Sequence, residues 1–216
     1  MILSAFSRTT VAALAMVLST EAAASTFVFD SDPFAGTTAL TTPGRQVIGG
    51  ETFITFDIAN DLFVFDRSAF GLWGGISFGT GTVSGLPTSG LNVIVVGDTD
   101  NDADLGTPFG AGSAANLLAN RITSDGAGFF IYFNSALDQP RLVFSTNLSE
   151  PTADLKILAR LTNLAGNPGS LANFTASNFQ FAAAIPEPAS WVMMVSGFGL
   201  VGASLRRRAR AAASYA

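Results

Sequence analysis

The densest set of side chains able to do chemistry is the run "GDTDNDADLG", in which Asp98, Asp100, Asp102 and Asp104 alternate directly after an apolar stretch. Four carboxylates this close repel one another, and a hard dication held by oxygen ligands relieves the repulsion. Calcium is the cofactor such a flexible cage would take, with Asn101 or main-chain carbonyls completing the shell. The spacing is not that of an EF-hand: counted from Asp98, the position that demands glycine is Ala103, and the one that demands a bidentate glutamate is Phe109. The other reading is a solvated acidic loop that keeps a strand end soluble.

A second chemistry, glycoside hydrolysis, needs two carboxyl groups roughly 5–10 Å apart. Glu51, Asp57, Asp61, Asp66 and Glu150 are candidates, but nothing in their spacing sets two of them across a cleft. The expectation is therefore polar positions at strand ends and no enzyme. The chain contains no histidine and no cysteine. That removes the usual general base, the Ser-His-Asp arrangement, imidazole metal sites, thiolate catalysis and disulfides. Lys156 lies among apolar neighbours and reads as a snorkelling cation. Trp73, in "GLWGGISFG", reads either as a platform for stacking a sugar or as a core tryptophan.

The elements that position these residues are short strands punctuated by glycine. "TFVFD", "ETFITFDI" and "DLFVFD" alternate or nearly alternate, whereas "LNVIVVGD" is a continuous apolar run, the pattern of a strand covered on both faces. "FFIYF", "RLVFST", "ADLKILARLTN" and "LANFTASNFQF" follow, divided by "SDP", "TPG", "IGG", "NPG" and "SDGAG". "ADLKILARLTN" also fits a helical stripe, although a strand is favoured. One short helix is expected over 112–124, capped by Ser113, with Ala115, Leu118, Ala119 and Ile122 inward. The fold class that results is all-β: an antiparallel β-sandwich or jelly roll spanning 25–184, its core filled from a stock of nineteen phenylalanines. From Ser25 to Ile185, fourteen acidic residues face six basic ones, a net charge of −8. Such a surface disfavours nucleic acid, which needs cations to replace phosphate counterions.

Both chain ends carry targeting patterns. Arg8, the apolar run from Thr9 to Leu18 and the small residues Ala22, Ala23 and Ala24 form a signal peptide over 1–24. Such a leader directs the chain to the Sec translocon, and cleavage after Ala24 leaves Ser25 as the mature N-terminus. At the other end, Trp191 to Leu205 contains no charge. As a helix it extends about 22 Å, a short membrane span that snorkelling arginines and local thinning complete. Arg206, Arg207, Arg208 and Arg210 stay on the cytoplasmic side by the positive-inside rule, which places the acidic domain outside. Just before the span, Pro186 and Pro188 hold the backbone extended around Glu187.

The ordered combination of Pro186, Glu187, Pro188, two spacers, Trp191, a glycine-containing span and an arginine cluster resembles the PEP-CTERM sorting signal in its PEPxxWA-like form. Val192 stands where that form usually has alanine. The resemblance covers residues 185–210 and says nothing of the preceding domain. It implies recognition by an exosortase, a membrane transpeptidase-like enzyme acting near the Pro-Glu-Pro. It also implies delivery to the cell surface or extracellular matrix, in bacteria that often make exopolysaccharide. The reading that results is an exported surface protein with a structural, adhesive or glycan-associated role. A calcium-dependent binding module and a carboxylate-based polysaccharide hydrolase are the alternatives.

Overall fold

A computed structural model of the protein describes residues 23–100, 108–182 and 196–198. In chain order its elements are β1 (Thr26–Phe29), β2 (Val47–Ile48), β3 (Thr52–Ile54), β4 (Leu62–Asp66), β5 (Phe78–Gly81), β6 (Val93–Val96), α1 (Ala111–Arg121), β7 (Gly128–Asn134), β8 (Gln139–Ser145), β9 (Leu155–Leu161) and β10 (Phe179–Ala182). Short 3-10 turns fill much of the connection from β9 to β10. The chain is thus mostly β, with few helices among the described residues: the short α1 and the helical residues 196–198.

Two sheets share one core. The smaller has the order β1-β4-β10, and the larger runs β2-β9-β8-β7-β6-β5, with β3 also on β9. Phe63 and Phe65 of β4 and Phe179 and Phe181 of β10 pack against Val95, Phe129, Ile131 and Leu142 of the large sheet. The opposite face of the large sheet is also covered. Ile94, Val96, Phe130 and Tyr132 meet Ala114, Ala115 and Leu118 of α1 there. This explains the unbroken apolar run of β6, whose four residues are all buried.

The pairing corrects the antiparallel expectation. Only β7 with β8 and β8 with β9 run antiparallel among the described strands. The pairings β1–β4, β10–β4, β2–β9, β3–β9, β5–β6 and β6–β7 are parallel. The physical reason lies in the connections: parallel neighbours cannot be joined by a tight hairpin, and β6 reaches β7 only through α1. The helix itself begins earlier than expected. Gly110 is its N-cap, without a side-chain cap bond, so Ser113 does not cap it. Ala111, Ala114, Ala115, Leu118 and the following Ile122 are buried, whereas Ala119 is half-buried. "ADLKILARLTN" forms a strand, as favoured. Only the last part of "LANFTASNFQF" does so; its beginning is 3-10 turn.

β2 and β3 line successive stretches of the same edge of β9, separated by a break at Gly49 and Gly50. Gly50 sits at φ +89°, a conformation that favours glycine. Lys156 secures the break: its Nζ donates to the Gly49 carbonyl at 2.6 Å, so this cation reaches out from the sheet as expected.

Candidate functional site

Trp73 is 90% exposed, which settles its two readings against the core. The loop after β4 makes this happen. Asp66 accepts the main-chain N–H groups of Ser68 (2.7 Å) and Ala69 (3.2 Å), starting a turn, and these bonds with the Ser68 hydroxyl hold its carboxyl below the usual range. Phe70 and Leu72 point into the core, and the Leu72 N–H bonds to the Arg67 carbonyl at 2.9 Å. Gly71 at φ +61° and Gly74 at φ +81° turn the chain on either side, so the indole between them faces solvent. Leaving a side chain of that size in water forgoes about 2–3 kcal/mol of burial.

The indole borders a cleft of about 360 Å³, lined also by Leu91, Asn92, Ser124 and Asp125. Its walls are hydrogen-bonded. Asn92 donates from Nδ2 to the Gly75 carbonyl (2.8 Å) and accepts the Ser77 N–H on Oδ1 (2.8 Å), pinning the strand of chain beyond Trp73. Across the cleft, Ser124 Oγ accepts the Gly90 N–H at 3.4 Å. Asp125 Oδ1 accepts the Ser149 hydroxyl at 2.7 Å and Asn147 Nδ2 at 3.4 Å. Those two bonds lower the pKa of the Asp125 carboxyl. An exposed aromatic face beside an ionised acceptor and a hydroxyl can hold a sugar ring, apolar face on indole and hydroxyls on oxygen.

A larger cleft, about 580 Å³, is lined by Phe56, Asp57, Asn163, Asn167, Ser170 and Asn173 among others. The Asn163 amide serves the fold: it accepts the Phe56 N–H (2.8 Å) and donates to the Phe56 carbonyl (3.0 Å). Ser170 donates to the Asn167 carbonyl at 2.7 Å.

Of the carboxylates singled out from the sequence, Asp57 and Asp61 adjoin through a hydrogen bond from the Asp57 main-chain N–H, and the others have separate partners. Glu51 is 9% exposed and pairs with Arg141 and, at 2.6 Å, with Arg160. Burial opposes its charge, but hydrogen bonds from its own main chain, Arg141 and Arg160 outweigh that and hold its pKa at about 2. Arg160 also lies over the ring of Phe53, at 5.1 Å, and that phenylalanine is 66% exposed. Asp57 accepts Ala59 N–H and Asn60 Nδ2, and Glu150 accepts Thr152. Asp61 holds the main chain of Ser25 and Asp57.

In the acidic run, Asp98 Oδ2 accepts the Val83 N–H at 2.7 Å. Asp102 and Asp104 lie outside the described residues, as does Ala22; Asp100, Ala24 and Ser25 lie within them. Among the described residues no cluster of three or more acidic, histidine or cysteine side chains could hold a metal ion. Sequence reasoning missed Asp154 and Asn178, two buried polar anchors. Asp154 accepts the N–H groups of Leu40 (2.6 Å) and Gln46 (2.7 Å), fixing the loop between β1 and β2. A lone aspartate opening an apolar strand was the available signal.

Residues 184–208 match the PEP-CTERM protein-sorting motif family. The chain carries a PEP-CTERM sorting motif. The matched span takes in Pro186, Glu187, Pro188, Trp191, Arg206, Arg207 and Arg208 and ends short of Arg210. No curated protein and no solved structure matches the chain. A PEP-CTERM segment implies an exported protein that is processed by an exosortase and associates with the membrane on its way to the surface. These motif residues lie outside the described ones. So does the membrane span expected over 191–205, apart from 196–198, which are helical. Among the described residues no helix is long and apolar enough to cross a membrane.

Proposed function

We propose that this chain is the precursor of a surface or extracellular-matrix protein whose β-domain attaches to exopolysaccharide through the Trp73 cleft. The leader over 1–24 takes the chain through the Sec translocon, and an exosortase releases the domain from its tail near Pro186-Glu187-Pro188. The observation that carries the glycan reading is the indole of Trp73, exposed on two glycine turns beside the ionised Asp125. An acidic domain of net charge −8 fits a neutral sugar surface better than an anionic one. The reading assigns the domain a binding role and leaves its carboxylates to structure.

The protein recovered from outside the cell tests this directly. Trp73 and Trp191 are the two tryptophans of the chain, so loss of the tail leaves Trp73 as the sole fluorophore of its kind. Titration with exopolysaccharide from the producing cells should move its emission to the blue. Trp73→Ala should weaken retention on the polysaccharide about tenfold or more, the loss of about 1.4 kcal/mol or more. Unshifted emission, or equal retention of the variant, would remove the glycan reading.

A further inference from the structure

The start of the domain is held by a buried carboxylate. Asp61, just before β4, is 5% exposed. Its Oδ1 accepts the main-chain N–H of Ser25 at 2.7 Å, and its Oδ2 accepts that of Asp57 at 2.9 Å. The Leu62 N–H bonds to the Ser25 carbonyl at 2.9 Å, so both main-chain groups of Ser25 are clamped where β1 runs in beside β4. From the turn before β10, Asn178 Nδ2 donates to the carbonyls of Ile58 (2.7 Å) and Asp61 (3.1 Å). The other titratable group here is Asp57, whose carboxylate turns to Ala59 N–H (3.0 Å) and Asn60 Nδ2 (2.8 Å). Among the described residues the ion pairs made by lysine or arginine are those to Glu51, so no cationic side chain among them pairs with Asp61.

A carboxylate withdrawn from water without a counter-charge is costly. The residue whose nitrogen reaches it is the one that the leader pattern places first in the mature chain. We propose that cleavage between Ala24 and Ser25 supplies the missing cation, so that maturation at this bond locks the N-terminus onto Asp61. A signal peptidase adds water across the Ala24–Ser25 peptide bond. Ala24 leaves as a carboxylate on the leader, and Ser25 keeps an α-amine that holds a proton at neutral pH. A neutral hydrogen bond thereby becomes a charge-assisted ion pair in the same place. The register is strict. A cut one residue earlier moves the charge by about 3.8 Å along the chain and leaves an amide facing Asp61, and a cut one residue later removes Ser25 with the leader. This inference rests on the export reading, yet it fixes a bond that the sorting motif does not.

The full chain, exported with its own leader, provides the test. Intact mass identifies the first residue, and acylation by an amine-selective reagent at pH 7 measures the α-amine. A free α-amine titrates at about 7.7–8.0. Beside Asp61 it should titrate about one unit or more higher and label about tenfold more slowly than in a variant with one glycine inserted between Ala24 and Ser25. Asp61→Asn should restore fast labelling; the insertion variant answers the question if that substitution impairs folding. The stabilisation is fully present below the ordinary amine pKa and is lost as pH rises through the raised one, so the urea midpoint should fall at alkaline pH in the natural protein and not in the insertion variant. Equal labelling in the two proteins would overturn the proposal. So would a first residue other than Ser25, an outcome that leaves export intact. Retention of the whole chain inside the cell would instead sink the export reading.

Discussion

Phe65 of β4 and Phe129 of β7 lie ring over ring with centroids 3.8 Å apart, and this contact joins the small sheet to the large one. Both rings are fully buried. Phe70 meets each of them edge-on, at 6.0 and 5.1 Å, and Phe181 closes the group from β10. The cluster also roots the Trp73 loop, since Phe70 is its inward anchor.

Truncating either ring should therefore be severe. Phe65→Ala or Phe129→Ala should cost about 3–5 kcal/mol by urea denaturation. The double variant should lose about 0.5–1.5 kcal/mol less than the sum of the two single losses. Additive losses would mean that the two sheets are held together elsewhere.

Glu51 sets an acid limit. Its ordinary pKa of 4.5 falls to about 2 in the fold. A depressed carboxylate contributes stability that is present above 4.5 and lost as pH drops towards 2. The urea midpoint of the natural protein should decline through that window. Glu51→Gln should flatten the decline while lowering the midpoint at pH 7, because Arg141 and Arg160 then lack their anion. An unchanged acid profile in the variant would show that the pair does not govern acid stability.

Gly128 couples the core to the cleft. A Cβ there would come within 2.6 Å of both the Asn92 carbonyl oxygen and Leu148 Cδ1. The Asn92 carbonyl accepts the Phe129 N–H at 2.9 Å, and its side chain pins the cleft wall. Gly128→Ala should cost about 1–3 kcal/mol of stability and also weaken polysaccharide retention. Retention unaffected in the folded variant would place the binding surface away from Asn92.

Much of the strand content was legible from local pattern. The unbroken "VIVV" announced a strand buried on both faces, and its cover by α1 on one side and the small sheet on the other bears that out. In "ETFITFDI" the apparent break in alternation is resolved by burial of Ile54 and Phe56, with Phe53 outward under Arg160. Strand direction was not legible, because β1 meets β4 and β4 meets β10 across long stretches of chain that carry no local signal. The strand–helix–strand order of β6, α1 and β7 did carry one, since a helical crossover goes with parallel pairing. Trp73 could not be placed from its neighbours alone. Its exposure depends on the positive φ of Gly71 and Gly74, and glycine permits that conformation without dictating it.

The intact mass of the native protein collected outside the cell bears most directly on an exported domain delivered by removable ends. The account predicts a single chain that begins at Ser25 and ends near Pro186, without Trp191 or the arginines from Arg206 onward. A chain still carrying Met1 and the Arg206–Arg210 cluster, recovered from the cytosol, would contradict it.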